Sequence, residues 1–220
     1  MIVAKNVSKK YHDDHNALMN ISFSTEERPF VIIGDDDAGK TTLLEILSGL
    51  EGDYEGEIFI NGKERRELGN DALSISYIAT EPILFKFKSV YKNLEYVFKI
   101  VGEKIDKNEI QKRIGVVARE LNIIELLDKK VYKLNLFQKK MVCVARALLK
   151  NSKIIFVDEP FFKLNNFEMS ALWRNMVSVA SKLSSDLVVA EKPQNIGYFD
   201  DCSILKIDFG TILVWICFKS

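Results

Sequence analysis

A chain of 220 residues suits one compact domain, or one domain carrying an inserted subdomain. Its composition, 47% hydrophobic and 28% charged, excludes a disordered polymer. With 31 basic and 31 acidic residues the formal net charge is zero, so no nucleic acid partner is expected, and the short runs Lys9-Lys10 and Lys139-Lys140 read as solvated helix ends.

Cys143, Cys202 and Cys217 show no paired spacing. That argues against a disulfide framework or a zinc site and fits a reduced, cytosolic compartment. The segment Met1-Ile-Val-Ala-Lys5 lacks a charged region followed by a long apolar stretch, so no secretory leader is expected. The apolar run from Ile212 to Phe218 is too short to cross a bilayer.

In chain order, segment 2–8 alternates weakly and predicts an edge strand, and 17–23 a second strand. Phe30-Val-Ile-Ile33 is a continuous apolar run, the pattern of a strand buried on both faces. From Lys40 the spacing turns helical, with Leu43, Leu44, Leu47 and Leu50 on one face, closed by Gly49 and Gly52. Residues 56–62 predict a strand ending in an Asn61-Gly62 turn. Between about Phe85 and Lys150 the chain is rich in Lys and Glu with helical spacing. Ile110, Ile114, Val117 and Leu121 make an apolar stripe there, and Asp106 with Glu109 predicts a capping box. Strands return at 154–157 and 186–190, and a hairpin is expected over 203–207 and 211–216, turning at Asp208-Phe209-Gly210.

Gly34-x-x-x-x-Gly39-Lys40-Thr41 fits the phosphate-binding P-loop pattern in full. Backbone N–H groups of such a loop surround phosphates, and the following helix adds its positive end. The candidate nucleotide-binding residues are Gly34, Asp35, Asp36, Asp37, Ala38, Gly39, Lys40, Thr41 and Thr42. Lys40 would reach the terminal phosphates of ATP, and the Thr41 hydroxyl would hold Mg²⁺. At the end of the buried strand 154–157, Asp158 is the expected metal-binding carboxylate and Glu159 the general base that polarises water.

With these motifs in place, the chain resembles the nucleotide-binding subunit of an ATP-binding-cassette (ABC) transporter from end to end. The likeness starts at Val7-Ser-Lys-Lys-Tyr11, whose aromatic Tyr11 would stack on adenine. It continues through 34–50, 56–62, Tyr77–Phe85 at the glutamine loop, Ser89–Leu94 and Val144–Leu148. The run Glu125–Lys130 is weakly similar to sugar-importer ATPases. The resemblance implies an α/β fold: a P-loop NTPase (ABC ATPase) core with an antiparallel β subdomain and an inserted helical subdomain. Residues 1–220 would form a single nucleotide-binding domain, with about 1–85 and 150–220 as the ATP-binding core and about 86–149 as the helical subdomain. No regulatory domain of the kind some sugar-importer ATPases carry after the cassette is expected.

The chain also departs from the family pattern. Thr80 stands at the metal-touching glutamine and is the remaining candidate metal ligand. Leu134-Asn-Leu-Phe-Gln138 replaces Leu-Ser-Gly-Gly-Gln, filling with bulk a place where glycine backbone approaches phosphate. Asn165 stands at an aspartate and Glu191 at the switch histidine, where a carboxylate is expected to repel phosphate. Three loop aspartates, with an unperturbed pKa of about 3.9, are each expected to cost about 1–4 kcal/mol of repulsion before screening and so to weaken nucleotide affinity.

ABC sites are shared between two cassettes. The resemblance therefore implies an ATPase working with membrane-spanning permease subunits on the cytoplasmic side of the cell membrane, beside a second ABC subunit. Because the signature is altered, a heterodimer with an intact partner is favoured over a homodimer. The alternative is an ATP-binding regulatory subunit with little hydrolysis of its own. A soluble ABC ATPase acting on DNA or ribosomes is disfavoured by zero net charge and the lack of paired cassettes or basic extensions.

Overall fold

In a strand whose two faces are both covered, every residue is apolar and neighbours part to opposite sides. Phe30–Ile33 forms such a strand, β3. Val31 and Ile33 join one core cluster, Phe30 and Ile32 the other. The computed structural model describes residues 1–11, 16–25, 29–67 and 75–216, residues 215 and 216 as backbone only.

The N-terminal strands are β1 (Ile2–Lys10) and β2 (Asn16–Thr25). After β3 come α1 (Lys40–Ser48), β4 (Glu55–Ile60), β5 (Lys63–Glu64) and β6 (Ile75–Ile78). Three helices follow, α2 (Val90–Val101), α3 (Lys107–Glu120) and α4 (Leu136–Lys150). The chain then returns to sheet with β7 (Ile154–Asp158), α5 (Asn166–Leu183), β8 (Asp186–Glu191), β9 (Ser203–Asp208) and β10 (Thr211–Ile216).

Two sheets result. One is antiparallel in the order β2-β1-β4-β5; the other runs β10-β9-β3-β8-β7-β6. Strands β9, β3, β8, β7 and β6 are parallel, and β10 pairs antiparallel with β9. Helix α1 lies in the cluster that joins the two sheets, with Leu43, Leu44, Ile46 and Leu47 all buried. Helices α4 and α5 pack on the opposite face of the larger sheet, and α2 and α3 pack on α4. This mixed α/β architecture is the one expected.

Several local expectations need correction. β1 is flanked by β2 and β4 and is not an edge strand. Its weak alternation comes from register shifts around Asn6, whose φ of 51° lies in the left-handed region. Gly49 closes α1 in that same region with φ 81°, its N–H donating to Glu45 and Ile46, whereas Gly52 takes no part. Asp106 caps α3 by accepting from the Glu109 N–H, but the Glu109 carboxylate turns to Arg113 at 2.9 Å instead of closing the box. Complete capping boxes stand at Asn135/Gln138 and Asn165/Glu168.

Neither basic run is a solvated helix end. Lys9 is buried in β1 against Glu51 and Asp53, and Lys140 is buried in the first turns of α4. Cys143 and Cys202 are free and buried, and Cys217 lies outside the described residues.

Candidate nucleotide-binding site

Strands β3 and β7 both deliver their C-terminal ends to one place, because they lie on either side of β8 in a parallel sheet. The loop 34–39 leaves β3 there, tied down at its start by Gly34 N–H donating to the Glu191 carbonyl (3.2 Å). Glycine is required at two loop positions. A Cβ on Gly34 would come within 2.7 Å of the Ile207 carbonyl. One on Gly39, whose φ is 92°, would come within 2.3 Å of the Ala17 carbonyl.

A cavity of about 360 Å³ opens over the loop. Its wall brings together Asp36 through Thr42, with Tyr11, Thr80 and Glu159. Asp35 contributes its carbonyl, which accepts from Lys40 Nζ at 2.7 Å. Tyr11 stands half-exposed at the rim, the Lys9 ammonium 5.0 Å from its ring centre. A larger groove of about 480 Å³ lies beside β1 and β2, lined by Lys9 and Lys10, of which Lys9 is engaged by Glu51 and Asp53.

Lys40, only 4% exposed, also pairs with Glu159 at 3.4 Å. Thr41 Oγ1 donates to Asp158 at 3.0 Å, and Thr80 Oγ1 reaches the same carboxylate at 3.2 Å. Thr80, though shorter than a glutamine, thus reaches the Asp158 carboxylate. Burial pushes the Asp158 carboxyl above its ordinary range, while the two threonine hydroxyls pull it back. The Tyr77 hydroxyl, 3.5 Å from Asp158, completes this group and is a neighbour that no motif announced. Burial and the adjacent Asp158 raise its own pKa.

The expected repulsion is redistributed. Asp36 pairs with Lys192 at 2.6 Å, and that hydrogen bond holds its carboxyl below the ordinary range. Glu191 does not face the cavity. Its buried carboxylate accepts from the backbone N–H groups of Phe161 (3.0 Å) and Lys192 (2.8 Å), and burial raises its pKa. A switch-position carboxylate aimed at phosphate was the expectation; backbone donors behind the strand capture it instead. Lys140 Nζ donates to the Glu159 carbonyl at 3.1 Å, linking α4 to the end of β7.

The ABC transporter family model matches residues 18–162. The chain belongs to that family.

This cassette is 33% identical to the molybdate/tungstate import ATP-binding protein of Methanocaldococcus jannaschii, over 73% of its own length and 52% of that protein. It is 32% identical to the tungstate uptake system ATP-binding protein of Peptoclostridium acidaminophilum, covering 86% of the cassette and 85% of the relative. The cassette spans about half the length of the molybdate/tungstate relatives it matches. Among solved structures, cbiO1 from Clostridium perfringens superposes with a TM-score of 0.84 at 25% identity, over 97% of this chain and 87% of that one. A dimeric ATP-binding cassette bound to ADP and Pi superposes with a TM-score of 0.86 at 22% identity over 100% of both chains, a likeness of fold alone. Among the described residues no helix is long and apolar enough to cross a membrane.

Proposed function

We propose that this cassette is the ATP-binding and ATP-hydrolysing subunit of a membrane importer. The observation that carries the reading is the convergence of Lys40, Thr41, Asp158 and Glu159 at the joined ends of β3 and β7. Gly34 to Thr42 would cradle the phosphates of ATP, and Tyr11 at the rim would stack on adenine. The donor set of Thr41, Thr80 and Asp158 is all oxygen, which suits a hard cation such as Mg²⁺ held by few protein ligands together with phosphate. When bound, that ion neutralises charge on the phosphates.

Lys40 and Glu159 hold each other in place of substrate. A terminal phosphate draws the ammonium away, and the freed Glu159 carboxylate can then take a proton from the attacking water. Phosphate leaves and ADP remains on the loop.

The relatives' names, import of molybdate or tungstate, support import of a small inorganic ion through separate membrane-spanning permease subunits, with this cassette on the cytoplasmic side of the membrane. A second cassette would complete the site. Leu136 and Phe137 occupy the first turn of α4 and pack on the core, which favours a heterodimer with a glycine-bearing partner. The same pair also supports a second reading, a regulatory subunit that binds ATP and scarcely hydrolyses it.

Mg²⁺-dependent phosphate release, measured with and without the partner subunits and compared with Glu159→Gln, tests both. Release that falls at least about a hundredfold in the variant supports the hydrolytic reading. Tight ATP binding with no release in either setting favours the regulatory one. Release unchanged in Glu159→Gln overturns the role given to that residue.

A further inference from the structure

We infer that Lys192 is a second phosphate-binding cation of this cassette, one that swings from Asp36 onto the terminal phosphate when ATP binds. The inference rests on the ATP-site reading above and deepens it.

The starting point is a charge imbalance. Asp36, Asp37 and Glu159 line the cavity, and Asp158 lies beneath it. The cation on its wall is Lys40. A nucleotide triphosphate would bring several more negative charges into this setting, so the loop calls for a further positive group. Lys192 is placed to supply it.

Its backbone follows β8, whose last residue is anchored to the loop through the Gly34 N–H to Glu191 carbonyl bond. Its own N–H donates to the Glu191 side chain. The base of Lys192 is thus fixed beside the loop, and its four-carbon arm reaches from there to Asp36. The ammonium ends on Asp36, a residue of the cavity wall, and the Lys192 side chain is a quarter exposed. Asp36, which holds it, shares the cavity wall with Glu159, the carboxylate that pairs with Lys40.

The partner it holds is one it can give up. Asp36 is largely exposed, so water can replace the lysine as its partner when the ammonium leaves. A phosphate oxygen offers the same ammonium a stronger, charge-assisted acceptor. The inward turn of Glu191 matters here as well: with its carboxylate capped by two backbone donors, it leaves the space in front of β8 to the neighbouring lysine.

The readout is the preference for ATP over ADP, because only ATP carries the terminal phosphate. Dissociation constants for Mg·ATP and Mg·ADP are measured on the whole chain, on Lys192→Met, on Lys192→Arg and on Asp36→Asn. Lys192→Met should weaken ATP about tenfold and leave ADP within about twofold. Lys192→Arg should keep most of the preference. Asp36→Asn should strengthen ATP a few-fold by releasing the lysine. An unchanged ATP/ADP ratio in Lys192→Met, whether both affinities fall together or neither does, overturns the assignment. A parent chain that binds neither nucleotide overturns the ATP site itself and the assignment with it. Thermal unfolding without nucleotide guards against misfolding: a nucleotide-free melting point close to the parent's makes the binding constants directly comparable.

Discussion

The Lys40 ammonium lies 3.4 Å from the Glu159 carboxylate and donates to the Asp35 carbonyl at 2.7 Å. Both groups are assigned to the same triphosphate, so each restrains the other until nucleotide arrives. Glu159→Gln removes the competing negative charge from Lys40 while leaving the amide able to accept a hydrogen bond. ATP should therefore bind a few-fold more tightly to this variant even as turnover collapses. Lys40→Met should lose ATP binding by at least about tenfold, since charge-assisted hydrogen bonds to phosphate vanish with the ammonium. Isothermal titration on both variants checks the opposite signs. Weaker ATP binding in Glu159→Gln would contradict this account of the pair.

The Thr80 hydroxyl is 3.2 Å from Asp158. Together with Thr41 it holds that carboxylate from two sides. Thr80→Val keeps the shape of the side chain and deletes the hydroxyl. The expected outcome is a several-fold rise in the Mg²⁺ concentration needed for ATP binding, with little change in metal-free nucleotide affinity. A magnesium titration followed by nucleotide fluorescence reads this directly. Unaltered magnesium dependence would show that Thr41 alone orients Asp158.

The first turns of α4 and α5 are each locked by a reciprocal pair. At α4 the Asn135 side chain accepts from Gln138 N–H at 2.8 Å and Gln138 Oε1 accepts from Asn135 N–H at 3.1 Å. At α5 Asn165 and Glu168 do the same at 3.0 and 3.1 Å. Asn135 thus gives α4 a well-formed start immediately before Leu136 and Phe137. Replacing either asparagine by alanine should cost about 1 kcal/mol, or roughly 2–4 °C of melting temperature for a chain of this size. Calorimetry measures the loss. The two sites share no hydrogen-bond partner, so the double variant should show nearly the sum of the single losses.

What could be read in the residues was whatever is fixed by local backbone demands. Gly39 is dictated by its left-handed φ of 92°, β3 and β7 by unbroken apolar runs, and the hairpin of β9 and β10 by Phe209 and Gly210 in the left-handed region. What could not be read depends on which distant segments meet. β1 looks like an edge strand until β4 pairs with it from the far side of α1. Glu191 looks like a phosphate-repelling charge until the Phe161 N–H claims it. Asp36 looks like one of three equal acids until Lys192 singles it out. Lysines carry the least information of all, because charge in a sequence does not reveal burial, as Lys9 and Lys140 show.

Lys140 gives the pH prediction. It is 2% exposed, and its ammonium donates to the Glu159 carbonyl. Burial pushes its pKa from 10.5 down to about 8, with Glu191 the largest opposing influence. The unfolded chain therefore keeps the proton up to the ordinary lysine range, while the folded chain releases it near pH 8. Between those two values the unfolded state binds more protons, so this group makes the fold more stable as pH rises. The full span is on the order of 3 kcal/mol, and below pH 8 the desolvation cost is fully present and no longer varies with pH. Lys140→Met removes the buried charge and should flatten that rise. It should also stabilise the fold at pH 7 relative to pH 10 in comparison with the parent, because the desolvation cost disappears where the lysine is charged. Urea unfolding of both proteins at pH 7 and pH 10 isolates the term, since Lys150 and the other buried groups are common to both. Parallel pH profiles for the parent and the variant would mean that Glu191 and its neighbours hold the Lys140 proton as firmly as water does.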